Sequence, residues 1–122
     1  MVNKDYTGKE ILLNELSKAL NREITEQDLI EAIIILKNNI ITQFNDEKTR
    51  LNRMREINIF NYIYDLEEGT RKRTHKEIKN LFSVSNDAID IIDKNIFLSI
   101  VRILESKDKT IKKTNRIKKH IR

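Results

Sequence analysis

The chain has 122 residues and a net charge of +5, with no proline, cysteine or tryptophan and only two glycines. This length fits one domain, or two small helical pieces that share one core. The lack of cysteine excludes a disulfide scaffold and a thiolate metal site. Strand-rich folds need frequent turns, yet Gly8 and Gly69 stand far apart and the apolar residues recur at helical spacing. We therefore predict an all-α protein.

The first two predicted helices lie in the N-terminal half. Apolar spacing predicts a helix over residues 9–20, which residues 21–24 end. A second helix begins near Thr25, whose hydroxyl can cap it while Asp28 reaches back, in a variant of the capping box. Residues at helical spacing then form an apolar seam: Leu29, Ile33, Leu36, Ile40 and Phe44. Further isoleucines widen the seam, so it either packs inside a small bundle or pairs two chains.

A third helix is expected to end before the charged loop 65–74, which carries Gly69. The charged segment 46–55 either continues the second helix or breaks it. The apolar stripe of the third helix is formed by Leu51, Met54, Ile57, Phe60 and Tyr64, with Ile63 beside them. Phe60, Tyr62 and Tyr64 have the rings to stack on single-stranded bases, but the spacing of Phe60 and Tyr64 is more typical of a core.

Residues 75–93 have the pattern of a helix-turn-helix. Apolar residues stand at all the bracing positions of such a motif: Ile78, Phe82, Val84, Ile89 and Ile92. Thr74 and Ser85 are placed to cap the two helices. Ser83 stands where glycine is common in the turn, and Lys79 where a small residue is common. An ordinary helical hairpin with the same spacing is the alternative.

Charge is distributed unevenly along the chain. Residues 1–70 hold nine Lys and Arg against thirteen Asp and Glu, whereas residues 71–122 hold fifteen against six. Nucleic acid is the usual partner of such a basic half, and a solvated tail kept for solubility is the alternative. The residues after 106 are basic with few apolar positions, so we expect this tail to fray without a partner.

The segments around the motif resemble a known family. They are Arg55-Glu56-Ile57, Tyr62-Ile63-Tyr64-Asp65-Leu66-Glu67-Glu68-Gly69, Arg73-Thr74, Glu77-Ile78, Leu81-Phe82, Val84-Ser85, Ile89, Ile92-Asp93 and a closing helix over 96–104. Together, residues 53–104 resemble the fourth conserved region of bacterial sigma factors, with a single-residue insertion near 70–72. Residues 21–26 are similar, over a shorter stretch, to the opening of the sigma third region.

The resemblance implies promoter binding by the second motif helix and contact with RNA polymerase. It implies that Arg71, Arg73, Lys76 and Lys79 meet phosphates, while Asn86, Asp87, Ala88 and Asp90 lie against base edges. The full set of predicted DNA-binding residues is Arg71, Arg73, Lys76, Lys79, Ser85, Asn86, Asp87, Asp90, Lys94, Lys112, Lys113, Arg116, Lys118 and Lys119. No aromatic and basic helix for promoter melting is visible, so a sigma-like accessory factor or a phage regulator is expected.

Three regions follow from these patterns: an N-terminal helical region (1–50), a helix-turn-helix domain (51–106) and a basic tail (107–122). The sequence predicts a small helical bundle that binds double-stranded DNA and regulates transcription. Many helix-turn-helix proteins dimerise, so we prefer a homodimer with an interface at Leu29, Ile33, Leu36 and Ile40.

Two other functions are kept open. Three aspartates on the second motif helix (Asp87, Asp90 and Asp93) oppose DNA, which favours a protein-interaction module that mimics a sigma domain to bind RNA polymerase. A small phage DNA-packaging or replication protein is the further alternative, and an oligomer larger than a dimer would indicate it.

No pattern indicates an enzyme, a cofactor or a metal site. His75 and His120 are far apart among basic residues, and no glycine-rich phosphate loop is present. No apolar run reaches the length of a membrane span, and the N-terminus lacks the apolar core of a signal peptide. We expect a cytoplasmic protein, and the heavy use of Ile, Lys and Asn suggests a low-GC bacterium or its phage.

Overall fold

A computed structural model of the chain describes the backbone of residues 6–120 and the side chains of residues 6–109. Five helices and no strand occupy this part of the chain, which confirms the all-α prediction. They are α1 (Gly8–Leu20), α2 (Glu26–Gln43), α3 (Glu47–Ile63), α4 (His75–Phe82) and α5 (Asn86–His120).

Side-chain caps define where most of these helices begin. The Thr25 hydroxyl accepts a hydrogen bond from the Asp28 amide, and the Asp28 carboxylate accepts one from the Thr25 amide, as predicted. Thr74 forms the same reciprocal box with Glu77, and the Ala88 amide donates to the Ser85 hydroxyl at 3.1 Å. Such caps satisfy amides that the first turn of a helix leaves unpaired.

The charged segment after α2 is a new helix and not a continuation of α2. The chain is extended at Phe44, and the Asp46 carboxylate accepts from the Thr49 amide to start α3. Leu51 is 63% exposed, so its prediction as part of the buried stripe was wrong, whereas Ile59 is fully buried. Phe60 and Tyr64 belong to the core, with ring centroids 5.0 Å apart.

One long helix replaces three predicted segments. Residues 86–120 form α5 without a break, so there is no separate closing helix and the described backbone of the tail is helical. The reason is local: after Ile89, the buried Ile92, Ile96, Ile100 and Leu104 continue at spacings of three or four, and no glycine or proline interrupts them.

α5 is the central helix of the bundle, since it contacts each of the other four. A single cluster of buried residues draws on all five helices, so residues 1–50 and 51–106 share one core. The predicted boundaries at 50/51 and 106/107 fall inside α3 and α5, respectively.

Ion pairs tie the far part of α5 to the N-terminal helices. The Arg22 guanidinium donates to both carboxylate oxygens of Asp108, at 2.8 and 3.0 Å. The Lys107 ammonium donates to the Glu31 carboxylate on α2. The first residues of the predicted tail thus dock on the bundle.

Candidate nucleic-acid interface

A three-residue turn, 83–85, joins α4 to α5. Ser83 adopts the left-handed conformation (φ 55°) as the C-cap of α4, and its amide donates to the Lys79 carbonyl at 2.9 Å. This is the position where the sequence motif usually carries glycine, because non-glycine residues rarely adopt positive φ. The Arg55 guanidinium donates to the Phe82 carbonyl at 2.6 Å and so braces the same turn from α3.

The apolar bracing positions face inward as predicted. Ile78, Ile89 and Ile92 are buried, and Phe82 and Val84 are partly buried against the core. The ring of Phe82 meets that of Tyr62 edge-on, with centroids 5.5 Å apart. The apolar pattern thus orients α4 and the start of α5 so that their polar residues face outward.

A shallow basic pocket opens where α4 meets α5, with a volume of about 270 Å³. It is lined by His75, Lys76, Lys79, Asn80 and Asn86. Both lysines are exposed, and neither forms an ion pair within the described part of the chain. The basic pocket therefore combines two uncompensated ammonium groups with two side-chain amides.

Two of the three aspartates near the start of α5 are engaged within the chain. Asp90 lies 2.7 Å from the imidazole Nε2 of His75. Asp93 is partly buried and accepts a hydrogen bond from the Tyr64 hydroxyl at 2.8 Å. Burial raises the pKa of Asp93 and also raises the pKa of Tyr64. The third, Asp87, lies in the exposed first turn of α5, and its side chain forms no hydrogen bond or ion pair among the described residues.

Arg71 and Arg73 are both held by carboxylates. Arg71 makes a bidentate pair with Glu77, with both N···O distances 2.9 Å, and this pair lowers the pKa of Glu77 to about 2. Arg73 lies 3.2 Å from the buried Asp65, and its guanidinium sits 4.0 Å from the centroid of the Tyr62 ring. With only 18% of its side chain exposed, Arg73 is a structural residue. The ion pair with Asp65 competes with the predicted phosphate contact.

The remaining predicted DNA-binding residues fall into three groups. The Ser85 hydroxyl is occupied as the cap of α5, and Lys94 is exposed on α5 beyond the basic pocket. The side chains of five others lie outside the described residues, although their backbone belongs to α5: Lys112, Lys113, Arg116, Lys118 and Lys119.

The predicted dimer interface packs within the chain. Leu29 is 2% and Ile40 is 6% exposed, while Ile33 and Leu36 are partly buried against the same core. These positions face inward because α2 needs its widest apolar stripe against α5 and α3, which it contacts. They are therefore unsuited to an interface between two folded copies.

Sequence reasoning missed Asn80 and the pairing role of His75. Asn80 lies one helical turn after Lys76, so the spacing of four residues was the signal that places it on the same face. The pairing of His75 with Asp90 bridges fifteen residues, and no local pattern indicates it.

No protein family model, curated protein or solved structure matches the chain. Within the described residues, no helix is both long and apolar enough to cross a bilayer. The same residues hold no cluster of three or more His, Asp or Glu side chains arranged to bind a metal ion.

Proposed function

We propose that the chain binds double-stranded DNA and regulates transcription, with α4 and the first turns of α5 acting as a helix-turn-helix. The observation that carries the proposal is the basic pocket, in which Lys76 and Lys79 stand beside Asn80 and Asn86. Neutralisation of phosphates dominates DNA affinity, and asparagine can pair with the major-groove edge of adenine.

Two of the aspartates near the start of α5 bond within the chain. Asp90 bonds to the His75 imidazole and Asp93 accepts from the Tyr64 hydroxyl. These contacts orient the carboxylates but do not cancel their charges, so Asp87, Asp90 and Asp93 together oppose phosphates. On this proposal the lysines of the basic pocket supply the compensating charge.

The test is fluorescence anisotropy of mixed-sequence duplex DNA across a salt series. The double variant Lys76→Gln/Lys79→Gln should weaken binding to all sequences and reduce the salt slope by about two, since each phosphate contact contributes about 0.9. The matched control is Lys18→Gln/Lys48→Gln, which removes the same charge from exposed positions on α1 and α3. Equal losses in both variants would show that net charge alone acts, and no binding at low salt would contradict DNA as the partner.

Recognition of the DNA sequence by α5 is tested in a separate experiment. Asn86→Ala should alter the preferred sequence in selection from a random duplex library while leaving the salt slope unchanged. An unchanged preference would mean that the start of α5 is not the reader.

The contribution of the tail needs a truncation that spares the docked residues. A chain ending at Lys109 keeps the ion pairs of Lys107 and Asp108. If the following basic residues hold phosphates, this truncation should make the salt slope shallower. An unchanged slope would exclude them from the interface.

A protein-interaction module that copies a sigma domain to bind RNA polymerase is the second candidate. Leu81 on α4 and Ile91 on α5 favour it, since they are 60% and 58% exposed and apolar side chains at the centre of an interface are typical of protein partners. This function predicts that the chain is retained on immobilised RNA polymerase and that Leu81→Ser or Ile91→Ser weakens retention. The Lys76→Gln/Lys79→Gln variant should be retained as well as the wild type.

A further inference from the structure

A groove with a volume of about 430 Å³ lies between α2, α3 and α5. Its least exposed lining residues include apolar ones: Ile40 and Ile96 are each 6% exposed, and Phe44 is partly buried against the core. Volumes of roughly 300–1,000 Å³ with an apolar lining and a few polar groups are typical of small-molecule sites.

The outer lining of the groove carries more positive than negative charge. Two guanidinium groups, those of Arg53 and Arg102, face a single carboxylate, that of Glu56. Arg53 is engaged with Glu56 at 3.3 Å and lies 5.7 Å from the centroid of the Phe44 ring. Arg102 is exposed, and no hydrogen bond or ion pair joins it to another side chain in the described part of the chain. One cation at the groove is therefore uncompensated.

Three side-chain amides add hydrogen-bond donors to this lining: Asn39, Gln43 and Asn95. Guanidinium and amide donors together suit a planar or tetrahedral anion, and arginine binds such groups in a bidentate manner. An apolar surface beside these hydrogen-bond donors suits an amphipathic ligand, which has an apolar part and an anionic part.

We propose that this groove binds a small molecule with an apolar body and an anionic head group. The body lies on Ile40, Phe44 and Ile96, and Arg102 holds the anion. The site is separate from the basic pocket and does not depend on DNA binding.

The test uses ¹H–¹⁵N NMR spectra of the full chain titrated with three probes below their micelle concentrations. The probes are decanoate, 2-naphthoate and decyltrimethylammonium. The side-chain amide signals of Asn39, Gln43 and Asn95 report directly on the groove. We expect saturable shifts with one or both anions and none with the cation, and the stronger anion tells whether the body is a chain or a ring.

Two variants separate the head-group site from the apolar floor. Arg102→Gln should weaken anion binding about tenfold, which corresponds to one hydrogen bond to a charged group. The control Lys109→Gln removes a cation from an exposed position on the same helix outside the groove and should leave affinity unchanged. Ser99→Phe places a large ring in the groove lining and should abolish binding of both anions.

Three results would overturn the proposal. Equal shifts with the anions and the cation would show that the groove does not select charge. An Arg102→Gln affinity equal to that of Lys109→Gln would remove Arg102 from the site. Groove signals that shift on simple dilution of the protein would identify a second copy as the occupant.

Discussion

The Tyr64–Asp93 pair shows how one buried hydrogen bond offsets the cost of a buried charge. Burial raises the pKa of Asp93 above its usual value, while the hydrogen bond from Tyr64 and the nearby Lys72 ammonium act in the opposite direction. Because the folded-state pKa exceeds the unfolded one, the folded state holds its proton more strongly. The stabilising effect is complete below the unfolded pKa and is lost as the pH rises through the folded pKa.

Asp93→Asn should therefore raise the free energy of unfolding at pH 7 relative to the wild type. Asparagine still accepts from the Tyr64 hydroxyl but carries no buried charge. The advantage should shrink as the pH falls toward 3, because the aspartate then becomes neutral. Urea denaturation at several pH values measures this, with Asp87→Asn as the exposed control. A variant less stable than the wild type at pH 7 would show that the carboxylate is fully compensated.

The two glycines are required for different reasons. Gly8 lies at the start of α1 against the end of α3, and a Cβ there would overlap the Tyr64 carbonyl. Its amide also donates to the Thr70 carbonyl at 2.7 Å. Gly69 has open space around it but a φ of +75°.

Gly8→Ala should lower the free energy of unfolding by about 2 kcal/mol or more, since the overlap is with backbone and not with a flexible side chain. Gly69→Ala should cost only about 1 kcal/mol, the strain of a left-handed alanine. Thermal or urea unfolding of both variants measures which of the two loses more free energy of unfolding. Equal losses would mean that α1 shifts to relieve the overlap.

At the scale of elements, α5 depends on tertiary contacts along most of its described length. Its first turns are capped by Ser85 and braced by α4, and its buried face contacts α1, α2 and α3. Near residue 108, two ion pairs join α5 to the N-terminal helices, Arg22–Asp108 and Lys107–Glu31.

Arg22→Gln should lower the global free energy of unfolding by less than about 1 kcal/mol, because both partners are partly exposed and solvent screens the pair. The local effect should be larger: amide hydrogen exchange in residues 105–109 should become faster, while that of residues 89–100 stays unchanged. The control is Lys109→Gln. Unchanged exchange throughout α5 would show that the ion pair does not hold this end of the helix.

At the scale of the whole molecule, one core joins both halves of the chain. Leu12, Leu16 and Leu29 from the N-terminal half lie in the same buried cluster as Ile100 and Leu104. Residues 53–104 therefore depend on contacts with helices from the N-terminal half.

An isolated fragment of residues 51–106 should fail to fold cooperatively, because it exposes the face of α5 that α1 and α2 cover. Far-UV circular dichroism during thermal unfolding should show a broad, weak transition for the fragment and a sharp one for the full chain. A sharp transition for the fragment would mean that its own contacts suffice. It would then be a domain in the sense first predicted.

Much of the fold could be predicted because its signals are local. The apolar spacing indicated helices, and Thr25, Thr74 and Ser85 marked their beginnings through caps that involve only the next three residues. The inward positions of the α4–α5 turn were predicted for the same reason. The sequence does not decide whether α2 ends near Phe44 or continues, because the charged residues that follow are compatible with both a helix and a break.

The candidate site was predicted less completely, because a charged side chain has the same sequence signature whether it is free or paired. Lys76 and Lys79 are predicted to meet phosphates, and both line the basic pocket. Arg73 was expected beside them, but Asp65 and Tyr62 hold it. These partners come from the end of α3 and the turn that follows it, which only the path of the loop brings close.

The sequence by itself determined that the chain is helical and where α2, α4 and α5 begin, since apolar spacing and side-chain caps depend on neighbours within a turn or two. The tertiary structure decided which face of α2 is buried, that α5 runs on as one central helix, and that Asp90 and Asp93 are matched by His75 and Tyr64. Those outcomes depend on packing and ion pairing between residues far apart in the chain, where several partners compete and geometry selects among them.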